Sequence, residues 1–126
     1  MDIKKSSGLI FHPTSLPGKH GIGNFGKNAK TFVDYLVETN TKIWQVLPLG
    51  LTDEIEYSPY SSPSSVLGNI NLIDLDNLNI QSEFTLEENK FPSEFIDFKN
   101  VYKYKSDALY NISKSIDVNE NYYQKF

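Results

Sequence analysis

Residues 6–26 read SSGLIFHPTSLPGKHGIGNFG, and this stretch decides how the rest of the chain is organised. A short apolar run, Gly8-Leu9-Ile10-Phe11, is followed at once by His12-Pro13 and a segment crowded with Gly and Pro. The run predicts a short buried strand over 9–11, stopped by Pro13. The loop over 14–26 is longer than a compact domain needs to connect two elements. Long loops without secondary structure of their own are uncommon, and often functional.

Working outward, residues 27–39 carry Ala29, Phe32, Val33, Leu36 and Val37 at the spacing of one helical face. Gly26 and Asn28 suit the entry to that helix and Asn40 its end. Residues 42–47 (KIWQVL) predict a second strand, closed by Pro48 and Gly50. Strand, helix, strand is a βαβ unit, so the two strands should be parallel and the crossover right-handed. Both strands are nearly continuous apolar runs, as parallel strands covered on both faces are. In such folds the functional loops leave the C-terminal ends of the strands, which is where both long loops lie.

The second loop, GLTDEIEYSPYSSPSS over 50–65, has no helical period. Residues 71–75 (NLIDL) predict a short extended run, and Thr85-Leu86-Glu87-Glu88 a short helix start that Phe91-Pro92 interrupts. A helix is predicted over 98–116, with Val101, Tyr104, Leu109, Ile112 and Ile116 roughly on one face. The tail VNENYYQKF (118–126) reads as polar, aromatic and frayed.

Composition bounds the function. The chain has 126 residues, 39% of them hydrophobic and 13% aromatic, which is a globular composition and sets an expectation of one domain or less. The net charge of -4 argues against a general nucleic-acid binder. With no Cys, thiolate chemistry, disulfides and Cys-ligated metal are excluded. The N-terminal apolar run is too short for a signal peptide and no run approaches a membrane span, so a cytoplasmic location is expected.

Catalytic constellations are sparse. His12 and His20 share one loop without a metal-binding spacing, and His12 reads as a hydrogen-bonded residue at a strand end. Gly21-Ile22-Gly23-Asn24-Phe25-Gly26 looks superficially like a dinucleotide fingerprint, but it follows a long loop rather than a strand. Its glycines are read as letting a tight loop reach the first helix. Asp53, Glu54 and Glu56 form a solvated polar cluster with no apolar surroundings to raise a pKa. Tyr57-Ser58-Pro59-Tyr60 is more informative: two Tyr flank a Ser-Pro turn at the functional edge of the sheet. A Tyr offers a flat face to a pyranose ring and a hydroxyl to its oxygens.

The order SSGLIFHPTSLPGKHGIGNFG, FVDYL, WQVLPLG, SPY, GNINLIDLD and IDFKNVYKYKSDAL resembles the N-terminal part of the 4-α-glucanotransferases, also called amylomaltases or disproportionating enzymes. The resemblance covers residues 6 to 112. It implies an α/β fold, the N-terminal fragment of a TIM (β/α)8 barrel of the α-amylase type, holding the first two strands and their long loops. It implies retaining transfer of α-1,4-glucan segments between maltooligosaccharides, with an Asp nucleophile, a Glu acid/base and a third, stabilising Asp, and with no metal or organic cofactor. Ser58 and Tyr60 fall on the family's SPY motif, which contributes to sugar-binding subsites, and Asn69 falls on the Asn of its GNP turn. His12 and Trp44 also match, and are read as structural.

Three departures stand out. The segment Asp53-Glu54-Ile55-Glu56-Tyr57 replaces a Gly-rich stretch, Ser61 stands where Gln follows SPY, and Ile70 replaces the Pro of GNP. A complete barrel takes about 250 residues, so residues 1–126 are expected to form a partial catalytic barrel domain. The family's catalytic carboxylates lie on later strands and match nothing here. The sequence therefore predicts no catalytic residue, an inactive chain by itself, and a truncated reading frame, gene fragment or decayed copy as its origin. The rival expectation is a non-catalytic remnant with weak or no glucan binding. Exposed barrel edges should promote association, and neither nucleic acid nor membrane is an expected partner.

Overall fold

A computed structural model describes residues 5–78 and 91–115. Strand β1 (Gly8–Ile10) and strand β2 (Ile43–Gln45) are joined by helix α1 (Lys27–Glu38). The strands pair in parallel with Gly8 opposite Ile43, Leu9 opposite Trp44 and Ile10 opposite Gln45. The Phe11 amide extends the ladder by donating to the Gln45 carbonyl at 3.0 Å. The predicted βαβ unit is thus present, with each strand shorter than its apolar run. Helix α1 begins after Gly26, which offers no side-chain cap, and ends as expected at Asn40. Asn40 adopts the left-handed conformation (φ 55°) in which an Asn commonly closes a helix.

Burial departs from the sequence expectation in this half. The strand over 9–11 was expected to be buried, yet Leu9 is 43% exposed and Ile10 67%. On α1, Ala29 and Leu36 are buried, whereas Val33 and Val37 are exposed. Phe32 packs inward, 5.3 Å from the Phe11 ring and 4.9 Å edge-on to Trp44. The physical reason is simple. A parallel strand pair carries apolar groups for cover on both faces, and among the described residues α1 covers only one side.

The loop over 14–26 is compact. It opens with a 3₁₀ turn (Pro13–Ser15) capped by His12. Gly23 lies so close to the Pro13 and Leu16 carbonyls that a Cβ would collide with both. Gly21 adopts φ 76° against the Phe91 ring, where a side chain would be both strained and blocked. The glycines serve loop closure, as the sequence implied.

The predicted extended run over 71–75 is absent. A 3₁₀ turn (Ile70–Leu72) occupies its start, because the Asn69 side chain caps the Asn71 amide at 2.9 Å and turns the chain instead. This segment packs on helix α2 (Phe98–Ser115). Leu75, Ala108 and Ile112 form the core there, with Leu78, Tyr104 and Leu109 against them. The expected apolar face of α2 is present, but it includes Lys105, fully buried in line with Val101, Ala108 and Ile112. Its ammonium donates to the Asn71 carbonyl and, at 2.7 Å, to the Ile73 carbonyl. The helix start predicted at Thr85–Glu88, Ile116 at the helix end and the tail 118–126 lie outside the described residues. Among the described residues no helix is long and apolar enough to cross a membrane.

Candidate functional site

Both long loops leave the C-terminal ends of β1 and β2, and the second folds back on itself. Leu51 donates to the Leu67 carbonyl at 2.8 Å, Asn69 to the Leu49 carbonyl at 3.1 Å, and Gly50 bridges Gly68 in antiparallel sense. The loop is therefore a closed flap whose neck is held by main-chain hydrogen bonds. Within it Asp53 accepts from the Ile55 and Glu56 amides at 2.8 and 2.6 Å. Those amides, Glu56 first, hold its carboxyl below the usual value. Glu54 and Glu56 are exposed, in line with a solvated polar cluster.

Ser58 and Tyr60 form the turn of the flap. The Ser58 hydroxyl accepts from the Tyr60 amide at 3.3 Å, and its carbonyl accepts from the Ser61 amide at 3.1 Å. This turn leaves the Tyr60 ring 72% exposed. Its neighbour Tyr57 turns the other way. With φ 52°, Tyr57 stacks on Phe98 (5.6 Å between centroids) and leans on Tyr102 at 6.3 Å. Burial, and then the adjacent Glu54 carboxylate, push the Tyr102 hydroxyl above its usual pKa. The segment that departs from the family pattern thus docks the flap onto α2, a contact invisible in the sequence.

Asn69 is buried, and its side-chain oxygen is spent on the cap described above. It lines a cavity of about 160 Å³ beneath the flap together with His12, Thr52, Tyr57, Pro59 and Asn71. Tyr60 lies outside that cavity. The candidate residues therefore divide into an exposed pair on the turn, Ser58 and Tyr60, and a buried Asn69 in the wall below.

His12 and Trp44 hold the frame. The Trp44 indole donates to the Phe11 carbonyl at 2.7 Å, stitching the two strands at the rim. The Thr14 amide donates to His12 Nδ1, and the Thr14 hydroxyl lies 2.6 Å from the same atom. Accepting at Nδ1 assigns the ring proton to Nε2. Burial pushes the imidazole below its usual pKa, and the Pro48 carbonyl offsets part of this.

His20 proves to be a joint that sequence reasoning missed. It is buried, with Nε2 3.3 Å from Asp76 and Nδ1 3.3 Å from the Tyr104 hydroxyl, and it stacks on the Tyr104 ring. The partners lie too far along the chain for any local pattern to announce them. No group of acidic, His or Cys side chains able to hold a metal occurs among the described residues.

A parallel βαβ unit with long loops at the C-terminal strand ends defines an α/β protein, and the candidate residues lie on those loops. The chain belongs to the 4-alpha-glucanotransferase family, whose model matches residues 11–126. It is 42% identical over 109 residues to a 4-alpha-glucanotransferase of Thermus thermophilus, covering 86% of this chain and 22% of that protein. It is 52% identical over 73 residues to one from Streptococcus pneumoniae, covering 58% of this chain and 14% of that protein. Among solved structures it resembles an amylomaltase from Streptococcus agalactiae in complex with acarbose, with a TM-score of 0.84 and 37% identity. That match covers 97% of this chain and 26% of the amylomaltase. The chain spans between about a seventh and a fifth of the length of these curated relatives.

Proposed function

We propose that this chain supplies the first βαβ segment of a (β/α)8 barrel, a partial catalytic domain, in an enzyme that transfers α-1,4-glucan segments between maltooligosaccharides with retention of configuration. The observation that carries the reading is the flap after β2. A neck of main-chain hydrogen bonds closes the loop that carries the Ser-Pro-Tyr turn, at the C-terminal edge of the strands, and Tyr60 is exposed there. Exposed aromatic faces beside polar hydroxyls suit sugar rings. In this reading Ser58 and Tyr60 contact the glucan, and Asn69 shapes the turn beneath them. The acarbose complex of the Streptococcus agalactiae amylomaltase supports a sugar-like ligand for the shared framework.

The general acid and nucleophile come from elsewhere in the barrel. Among the described residues the two carboxyls with a resolved shift, Asp53 and Asp76, are both held low, which suits neither a proton donor at neutral pH nor a poised acid/base. The chain by itself is therefore expected to be inactive. The test is maltotriose disproportionation followed by glucose release. The purified 126-residue chain should give none, and the chain joined to the remaining barrel of a relative should give turnover. Turnover by the chain alone, surviving removal of host enzymes, overturns the reading.

A further inference from the structure

We propose that Tyr57 is a positioning residue for the Ser58–Tyr60 turn: its ring is a latch that holds the tip of the flap on helix α2, and releasing it lets the tip swing on the neck. Among the described residues two non-glycine residues adopt left-handed backbone, Asn40 at φ 55° and Tyr57 at φ 52°. Asn is at home there because its short side chain can hydrogen-bond locally, and Asn40 closes helix α1 in that conformation. A Tyr side chain offers no such bond. A bulky residue at positive φ is an outlier that its surroundings must hold in place.

The ring contacts supply the hold. Tyr57 stacks on Phe98 with the ring planes 14° apart and meets Tyr102 at 53°. The Glu54 carboxylate lies beside the Tyr102 hydroxyl, a second contact from the same segment to α2. Backbone strain and ring contacts oppose each other and are of the same order, which is the condition for an element with two positions.

The tip is tied together, so it moves as one piece. Asp53 accepts from the Ile55 and Glu56 amides, its own amide donates to the Ser61 carbonyl at 3.0 Å, and the Ser61 amide donates to the Ser58 carbonyl. The other large apolar side chains of the tip, Ile55 and Tyr60, are 89% and 72% exposed, which leaves the Tyr57 ring as its apolar anchor. The neck bonds, Leu51 to Leu67 and Asn69 to Leu49, lie at the base and do not pass through residue 57. Where the Tyr57 ring docks therefore sets where Ser58 and Tyr60 point. The inference rests on the glucan-contact reading only for its consequence, the presentation of Tyr60 to a sugar.

The experiment is amide hydrogen exchange on the full chain, labelled with ¹⁵N and followed by NMR. The Asp53 and Ser61 amides report the tip, and the Leu51 and Asn69 amides the neck. Tyr57→Gly deletes the ring and supplies a residue at ease at this φ. It should speed exchange at Asp53 and Ser61 about threefold to tenfold and leave Leu51 and Asn69 within about twofold. Tyr57→Phe keeps the ring and should exchange as wild type does. Phe98→Ala should repeat the loss from the α2 side. If Phe98→Ala loses its helical signal, the two Tyr57 variants decide, since residue 57 lies in the flap. Wild-type exchange at the tip in Tyr57→Gly means that the turn sets its own conformation and overturns the latch. So does equal acceleration at tip and neck, or a Tyr57→Phe chain as fast as Tyr57→Gly. Maltotriose added to the wild-type chain separates the two readings. Tip exchange that follows the ring, with no maltotriose shift at Ser58 or Tyr60, supports the latch and overturns the glucan-contact reading. Maltotriose shifts at those residues, with tip exchange indifferent to the ring, overturn the latch and leave that reading standing.

Discussion

The strand pair with α1 and the segment 69–75 with α2 bury opposite kinds of residue. In the first, apolar side chains stand in solvent: Ile10, Val37 and Ile43 are all more than half exposed. In the second, polar side chains are buried: Lys105, Asn71 and Asn69 lie inside, and His20 is clamped against Tyr104 nearby. The difference teaches how each region is closed. In the proposed barrel further strands and helices would complete this sheet and cover its apolar surface. A helix packed on an irregular segment must satisfy that segment's orphan carbonyls locally, and Lys105 does so with two hydrogen bonds.

If Lys105 is what closes the second region, Lys105→Ala should be the most damaging change. It strands two carbonyls and opens a void, and should cost about 3–4 kcal/mol, read by urea unfolding of the helical signal. A loss no larger than that of a surface substitution would erase the contrast between the regions.

The pH dependence sharpens the same point. Burial lowers the Lys105 pKa from 10.5 to about 8, with Asp74 opposing the shift. Between these values the unfolded chain binds more protons than the folded one, so stability should rise as pH increases from 8 to 10.5. The full gain is about 3 kcal/mol. Lys105→Met, which keeps the stem and removes the titration, should flatten this rise. An unchanged alkaline slope in that variant would assign it to another group.

The flap touches both regions, and its two tyrosines should separate. In a complete barrel, Tyr60→Phe should slow transfer a few-fold to tenfold through one lost hydrogen bond, and Tyr60→Ala more. Tyr57→Ala should spare transfer relative to Tyr60→Ala and instead lower stability by about 1–2 kcal/mol, since its ring stacks on Phe98. The opposite pattern in transfer kinetics would mean that the departing 53–57 segment shifts the motif.

The smallest effect on stability belongs to the strand face. The isolated chain should associate through it, and Ile10→Lys with Ile43→Lys should shift sedimentation toward monomer while changing unfolding free energy by less than about 0.5 kcal/mol each. A wild-type chain that stays monomeric at high concentration, with a sharp transition, would show that the exposed strands need no cover.

The sequence by itself determined the order β1, α1, β2 and the parallel pairing. Apolar runs, a 3.6-residue period and turn residues are local signals, and Asn40 and Pro13 act at their own positions. It also determined the family, because HPTSLPG, WQVLPLG and SPY are contiguous words. It placed a helix at 98, but read 71–75 as extended, since nothing local revealed that Asn69 would cap a turn there. Only the tertiary structure decided what was buried. Lys105 reads as a surface residue until two carbonyls 32 and 34 positions away are brought to its ammonium. His20 reads as an isolated loop residue until Tyr104 arrives from 84 positions on. Thr52, Asn71 and His12 line one cavity only in the folded chain. Such contacts depend on the fold bringing distant segments together, and burial sets their energy, so no short stretch of sequence encodes them.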